Sequence, residues 1–328
     1  MIAITGANGL LGSFIIRKLI ETNQPFIAIK RKNSDTSLLN DIVDKITWRD
    51  AAIEDLTSLT EAFENVTHVI HTAAVVSFNP RESKIILKVN IEGTQNVVNA
   101  CLNAGVQRLV HISSVAALGR QKNQTFICEE NKWIDSALNS TYAYSKYQAE
   151  LEVFRGQEEG LSTLIVNPSV ILAPTDWTKS SSQLFKYVWH QKMFYIDGSL
   201  NYVDVRDVST IVCKLIHSKI EAERFILNGG SISFKDFFDR IAHQFKKRSP
   251  FIKLNKTFLT VIAFLEGLRS FIIGSRPLIT HETARLANTR FTYNNTKIKK
   301  IINFEFQSID STIQWCCNYY MQKINNKK

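Results

Sequence analysis

The chain has 328 residues, 45% apolar and 21% charged, which suits one or two folded cores and excludes a disordered or low-complexity protein. Forty Lys and Arg against 30 Asp and Glu leave a net charge of +10, partly in clusters such as Lys246-Lys247-Arg248. No aromatic-and-basic recognition motif accompanies them, so no nucleic-acid partner is expected. The five cysteines (Cys101, Cys128, Cys213, Cys316, Cys317) show no C-x-x-C pair and no metal-ligand spacing. Reduced thiols, a cytoplasmic location and no bound metal are therefore expected. An apolar run starts at Met1, so no signal peptide is expected.

Met1–Ile4 is that run, and Thr5-Gly6-Ala7-Asn8-Gly9-Leu10-Leu11-Gly12 follows it directly. Ser13–Ile20 then shows helical spacing at Phe14, Ile15, Leu19 and Ile20. A strand passing through a glycine-rich turn into a helix forms an anion site, because backbone N–H groups and the helix N-terminus converge on a pyrophosphate. Gly6 is expected to make the sharp turn, Gly9 to allow close approach, and Gly12 to let the helix pack. Strands are predicted at Phe26–Lys30, Ile46–Trp48, His68–Thr72, Arg108–Ser113, Ser162–Val166 and Arg224–Leu227. Helices are predicted near Ser58–Glu64, Ser83–Ala104, Tyr142–Glu159 and Arg206–Ser218. Beyond about Asn228 the strands fade and helical patterns remain near Phe234–Phe245, Thr257–Ser270 and Ser308–Lys323. This alternation indicates an α/β fold: a Rossmann-type doubly wound parallel sheet with a smaller, mostly helical carboxy-terminal substrate lobe. Residues 1–166 and 201–227 would form the dinucleotide domain, and 167–200 and 228–328 the substrate lobe.

Three groups of residues carry the chemistry. Lys30-Arg31-Lys32 ends the second strand, where an acidic residue would accept from ribose hydroxyls and basic residues would pair with a 2′-phosphate. NADP(H) is accordingly preferred, with NAD(H) as the alternative, whereas Asp50 and Asp55 give no secure carboxylate for the adenine amine. Tyr142 and Lys146 stand four residues apart, on one helix face. An adjacent ammonium would lower the phenol's pKa from about 10 and fit it for proton exchange with a substrate oxygen. Ser113-Ser114 lies at the carboxyl end of a central strand, where ligands of open parallel sheets bind. His68, His71 and His111 fall within apolar strands and are read as satisfied core histidines.

With these pieces in order, the chain resembles the extended short-chain dehydrogenase/reductase family (the NAD-dependent epimerase/dehydratase type) over essentially its full length. The matching stretches are Thr5–Gly12, Val69-Ile-His-Thr-Ala-Ala74, Val89-Asn-Ile-Glu-Gly-Thr-Gln-Asn96, Ile112–Ser114, Tyr142–Lys146 and Tyr202-Val-Asp-Val-Arg-Asp-Val208. The resemblance implies that Ser114 orients a carbonyl, Tyr142 is the acid/base, and Lys146 holds the nicotinamide ribose. It also implies that Asn90 is the cofactor-side asparagine, that Ala73 and Ala74 line the adenosine, and that Asn167, Pro168 and Ser169 lie beside the nicotinamide. Within the family the stretches look closest to 3β-hydroxysteroid dehydrogenases and dihydroflavonol reductases. Sugar-nucleotide epimerases carry a lysine where Val76 stands and an arginine where Leu200 stands.

An NADP(H)-dependent oxidoreductase acting on a secondary alcohol or its ketone is the leading expectation. A nucleotide-sugar epimerase or dehydratase with tightly held NAD(P) is the alternative. The apolar stretch from Phe251 to Gly274 has Lys253, Lys256, Glu266 and Arg269 within it, so it is too interrupted to span a membrane, which needs about 20 apolar residues. It reads instead as a buried helix, a wall of an apolar substrate pocket, or a helix on a membrane surface. The expected substrate is a small molecule, mainly apolar and of steroid, terpenoid or flavonoid size. Peripheral membrane contact and a homodimer stay open.

Overall fold

The computed structural model describes residues 1–121, 124–177, 181–255 and 290–326. The helix expected over Thr257–Ser270, and with it most of the apolar stretch from Phe251 to Gly274, lies outside the described residues. The chain divides into two compact units. The first comprises Met1–Arg120, Glu129–Pro168 and Val205–Leu227, and the second Gln121–Cys128, Ser169–Asp204 and Asn228–Lys328.

These limits differ from the sequence expectation at three places, each for a pairing reason. Residues 201–204 join the second unit because Tyr202, Val203 and Asp204 pair with Val170, Ile171 and Leu172. Residues 121–128 join it because Phe126 and Ile127 pair with Thr292 and Tyr293. Asn167 and Pro168 stay in the first unit, in register with Ile226 and Leu227.

The first unit is built on a seven-stranded sheet. Strands β1 (Ile2–Thr5), β2 (Phe26–Lys30), β3 (Trp48–Asp50), β4 (His68–His71) and β5 (Arg108–Ile112) are joined by strands Ser162–Pro168 and Glu223–Leu227. The spatial order is Glu223–Leu227, Ser162–Pro168, β5, β4, β1, β2, β3, and every neighbouring pair is parallel. This is the Rossmann order, and it reverses between β1 and β4, so the loops leaving those two strands flank one crevice. Strand alternation sends Ala3, Ile27, Ile29, Val69, Leu109 and Ile165 to one face. There they pack with Leu59, Val97, Val98, Cys101 and Val153 from the covering helices.

Local detail departs from the sequence reading at two points. The third strand lies at Trp48–Asp50 rather than Ile46–Trp48, because Ile46 closes a 3₁₀ segment at Ser37–Lys45 through its N–H to the Val43 carbonyl. The helix expected over Ser83–Ala104 is two α-helices, Ser83–Leu87 and Gly93–Asn103, with a π-helical turn at Lys88–Glu92 between them. Such turns widen the helix by one residue and often mark functional positions.

The second unit contains helices Ser182–Trp189, Phe234–Phe245 and Ile309–Asn325 around an aromatic core that includes Phe185, Phe237, Phe245 and the fully buried Tyr320. It also carries short strands that periodicity did not show. Ser199–Asp204 lies between Val170–Leu172 and Gly230–Ser233, and Phe194–Ile196 pairs with Ile252–Leu254. Among the described residues no helix is long and apolar enough to cross a membrane.

Candidate active site

The turn after β1 is determined by sterics. Gly6 has φ +65°, and a Cβ there would lie 2.7 Å from both the N and Cα of Ala73. Only glycine meets both conditions. A Cβ on Gly12 would collide with the Gly6 carbonyl oxygen and the Ala7 backbone, so this glycine lets helix α1 (Leu10–Glu21) dock on the turn. Gly9 is different: its φ is −78°, and it serves as the N-cap of α1 without a side-chain hydrogen bond to the helix. The first N–H groups of α1 are thereby left without a side-chain cap.

A cavity of about 200 Å³ opens on this turn. Of the residues expected to bind the cofactor, Thr5, Gly6, Asn8, Gly9, Lys30, Arg31, Ala73 and Ala74 line it. Leu10, Leu11 and Gly12 do not, since Leu11 and Gly12 are buried in packing. Asn8 donates through Nδ2 to the Asp35 carbonyl at 2.9 Å, which ties the turn to the loop after β2. Ser34, Ile53, Glu54, Thr72 and Val75 also line it. Sequence reasoning passed over these residues, although every one follows the carboxyl end of β2, β3 or β4, and strand register alone would have flagged them. A glycine cradle at the N-terminus of α1, continuous with a cavity whose wall combines the small or apolar Ile53, Ala73, Ala74 and Val75 with the polar Thr5, Lys30, Arg31 and Glu54, fits a dinucleotide.

The basic segment divides in two. Lys30 Nζ pairs with Asp50 Oδ1 at 2.7 Å, because Lys30 and Asp50 are register partners on β2 and β3. Arg31 is exposed and lines the cavity, and its side chain has no partner among the described residues. Neither Asp50 nor Asp55 is free for adenine. Asp50 is held by Lys30, while Asp55 caps helix Leu56–Ala62 by accepting from Thr57 and Ser58 N–H.

The second cluster gathers at the carboxyl ends of β5 and Ser162–Pro168, against helix Thr141–Glu158. Ser140 starts that helix by accepting from the Ala143 N–H. Tyr142, Lys146 and Glu150 follow at successive i,i+4 positions, the last two buried. Ser114 begins a 3₁₀ turn, where its Oγ accepts from the Ala116 N–H at 3.2 Å, and it lies near enough to the Tyr142 side chain to favour the phenolate. Burial raises the Tyr142 phenol above its ordinary value, and Ser114 only partly offsets this. The sequence expectation of a lowered pKa therefore fails. Desolvation outweighs the effect of Ser114, and the Lys146 ammonium is directed elsewhere, donating to the Ile112 carbonyl at 2.9 Å with His111 Nε2 at 3.4 Å. Burial brings Lys146 itself down to about 8, with Glu150 acting in the opposite sense.

Asn90 sits in the π-helical turn and is fully committed. Its Oδ1 accepts from the Val75 N–H at 2.8 Å, and its Nδ2 donates to the Val75 carbonyl and to Ser145 Oγ. It anchors the loop after β4 to the tyrosine helix. Asn167 Nδ2 donates to the Ser114 carbonyl at 2.9 Å and to Glu150 Oε1 at 2.6 Å, and its buried Oδ1 has no partner among the described residues. Pro168 ends the strand, and Ser169, the next residue, opens a segment of the second unit with its buried hydroxyl unpartnered among the described residues. Behind Asn167, Glu150 Oε2 accepts from Arg224 Nη1 at 3.0 Å. Neither Glu150 nor Arg224 stood out in the sequence, although extending the Tyr142–Lys146 spacing by one more turn leads directly to Glu150. Phe78, in the loop after β4, meets the Tyr142 ring edge-on with centroids 6.0 Å apart.

The profile of the 3-beta hydroxysteroid dehydrogenase/isomerase family matches residues 3–213. Sterol demethylase protein B of Methylococcus capsulatus is 25% identical, over 87% of this chain and 88% of that protein. The 3beta-hydroxysteroid-dehydrogenase/decarboxylase isoform 1 of Arabidopsis thaliana is 22% identical, over 92% of this chain and 75% of that protein. Among solved structures, that of gox2253 superposes with a TM-score of 0.85 at 27% identity, covering 98% of both chains.

Proposed function

The chain belongs to the 3-beta hydroxysteroid dehydrogenase/isomerase family and is an NAD(P)-dependent enzyme of the extended short-chain dehydrogenase/reductase type, and from that premise we propose that it interconverts a secondary alcohol and its ketone on a mainly apolar, sterol-sized substrate. The observation that carries the reading is the placement of Tyr142 and Lys146 one turn apart on helix Thr141–Glu158, with Ser114 near enough to act on the Tyr142 phenol. When bound, the nicotinamide supplies or accepts the hydride. The residues do the rest. Ser114 donates to the substrate oxygen and polarises the carbonyl. Tyr142, whose phenol burial keeps in the neutral form, gives its proton to that oxygen during reduction. Lys146 offers a cationic donor beside them.

NADP(H) is the preferred cofactor in this reading, and Arg31 is the residue that pairs with the 2′-phosphate, since Lys30 is occupied by Asp50. Two observations support an apolar substrate. Val76 is 65% exposed in the loop after β4, and Phe78 of the same loop rests against Tyr142. Two relatives that match most of this chain carry sterol or steroid names.

The test is a substrate panel of 3-ketosterols, smaller ketones and nucleotide sugars, with NADPH consumption and product mass both followed. Rates should rise with the apolar size of the ketone. Tyr142→Phe should bind NADPH nearly as well as the unaltered protein while losing roughly 10²-fold or more in turnover. Conversion confined to nucleotide sugars without net cofactor consumption would overturn the proposal.

A further inference from the structure

Two histidines, His71 on β4 and His111 on β5, lie fully buried behind Lys146 with ring centroids 5.1 Å apart, and the reaction described above uses neither. Proton counting separates them. Thr94 Oγ1 spends its single proton on the Asn90 carbonyl at 2.7 Å, so at its 3.1 Å contact with His71 Nε2 it can only accept. His71 is therefore protonated on Nε2, and its bare Nδ1 accepts from Thr5 Oγ1 at 2.7 Å. Both ring nitrogens are occupied. His71 has nothing to offer Lys146.

His111 is the opposite case. Its Nδ1 is buried without a partner among the described residues, and its Nε2 faces the Lys146 ammonium. An ammonium has three donors and no acceptor. One of these goes to the Ile112 carbonyl and a second is directed at His111 Nε2, both from β5, which leaves one for the site.

We propose that His111 is a positioning residue for Lys146: its Nε2 accepts one ammonium proton and, together with the Ile112 carbonyl, pins the lysine to β5 with a single donor uncommitted. The assignment rests on the placement of Lys146 in the site proposed above. The charged or titratable groups facing Lys146 are His111 on β5, His71 on β4, and Glu150 on its own helix. Both imidazoles are held neutral, by burial first and by the Lys146 charge second, so His111 acts as an acceptor rather than a competing cation. A neutral acceptor favours the charged lysine, and its removal lowers the lysine pKa further.

The experiment is a direct titration of Lys146 in cofactor-free protein labelled at lysine Cε, with the signal assigned by its loss in Lys146→Arg. The unaltered protein should titrate near 8. His111→Phe, which keeps a ring and removes the acceptor, should titrate about one pH unit lower, and His111→Gln, which restores an acceptor, should return most of the shift. In parallel, NADPH affinity in His111→Phe should weaken several-fold at pH 8 and less at pH 6.5. If His111→Phe does not fold, His111→Leu replaces it. A folded acceptor-less variant whose Lys146 titrates with the parent overturns the proposal. Because the titration needs neither cofactor nor substrate, its outcome is independent of whether the ketone panel succeeds.

Discussion

The glycine turn after β1 and the cluster around Lys146 both lie at the carboxyl edge of one sheet but are specified by different physics. At the turn, backbone geometry decides. Gly6 is required because φ is +65° and the Ala73 backbone leaves no room for a Cβ, and Gly12 because the Gly6 carbonyl occupies that space. At the lysine, burial decides. The pKa directions of Tyr142, Lys146 and the two histidines all follow from lost solvation before any named charge contributes. Local geometry can be read from eight consecutive residues. Solvation depends on everything packed around a side chain.

The comparison can be broken most forcefully at Gly6. Gly6→Ala adds left-handed strain of about 1–2 kcal/mol and overpacking of about 1–3 kcal/mol. Denaturant titration should therefore show a loss of about 2–5 kcal/mol, together with loss of dinucleotide binding. A stable Gly6→Ala protein that binds NADPH normally would mean that the turn is more plastic than its geometry states.

The lysine cluster can be sharpened by acid. His71 is neutral in the fold, with its pKa lowered to about 3, whereas an unfolded histidine titrates near 6.5. Its contribution is fully present above about pH 6.5 and drains away as pH falls toward 3. The slope is about 1.4 kcal/mol per pH unit, so urea midpoints at pH 5 should report about 2 kcal/mol less stability from His71. His111 shifts in the same direction. His71→Asn should flatten this acid limb, and an unchanged limb in that variant would place the titrating group elsewhere.

The smallest effect falls where the two kinds of physics meet. Arg31 belongs to the glycine-turn cavity, yet in the proposed role it would act through charge in solvent. Arg31→Ala should narrow the NADPH-over-NADH affinity ratio by about tenfold, from one charge-assisted contact of about 1.5 kcal/mol. Lys30→Ala should change it less, because Lys30 already answers Asp50. Fluorescence titrations with both cofactors at low and high salt would check this, and the Arg31 effect should shrink as salt rises.

What could be read from the sequence follows the same division. The strand–turn–helix, the alternation of the sheet and the Tyr142–Lys146 spacing are local patterns, and they were legible. The Lys30–Asp50 pair was not, because it is set by the register of β2 against β3 across 20 residues of chain. The rise in the Tyr142 pKa was missed for a similar reason: an i,i+4 lysine implies proximity, and only the fold shows its ammonium directed to Ile112 and His111. His111 was expected to be satisfied like His71, but hydrogen-bond satisfaction depends on which neighbouring hydroxyls still have a proton to give. The short strands of the second unit, most of three or four residues, are too brief for periodicity to register.

The position of β1 has a consequence for how the protein is made. Ile2 pairs with Phe26 on one side and His68 on the other, so the first strand of the chain becomes an interior strand of the sheet. Loop closure over such separations delays pairing, and a growing chain cannot complete this seam until β4 has emerged. The wall that confines Gly6 is Ala73, two residues past the end of β4. The phosphate cradle therefore comes into being with the assembled sheet and not with the first strand–turn–helix, however complete that segment looks alone. A dinucleotide has no finished cradle to grip in an early intermediate, so it should protect the finished enzyme by slowing its unfolding and do little to hasten its birth.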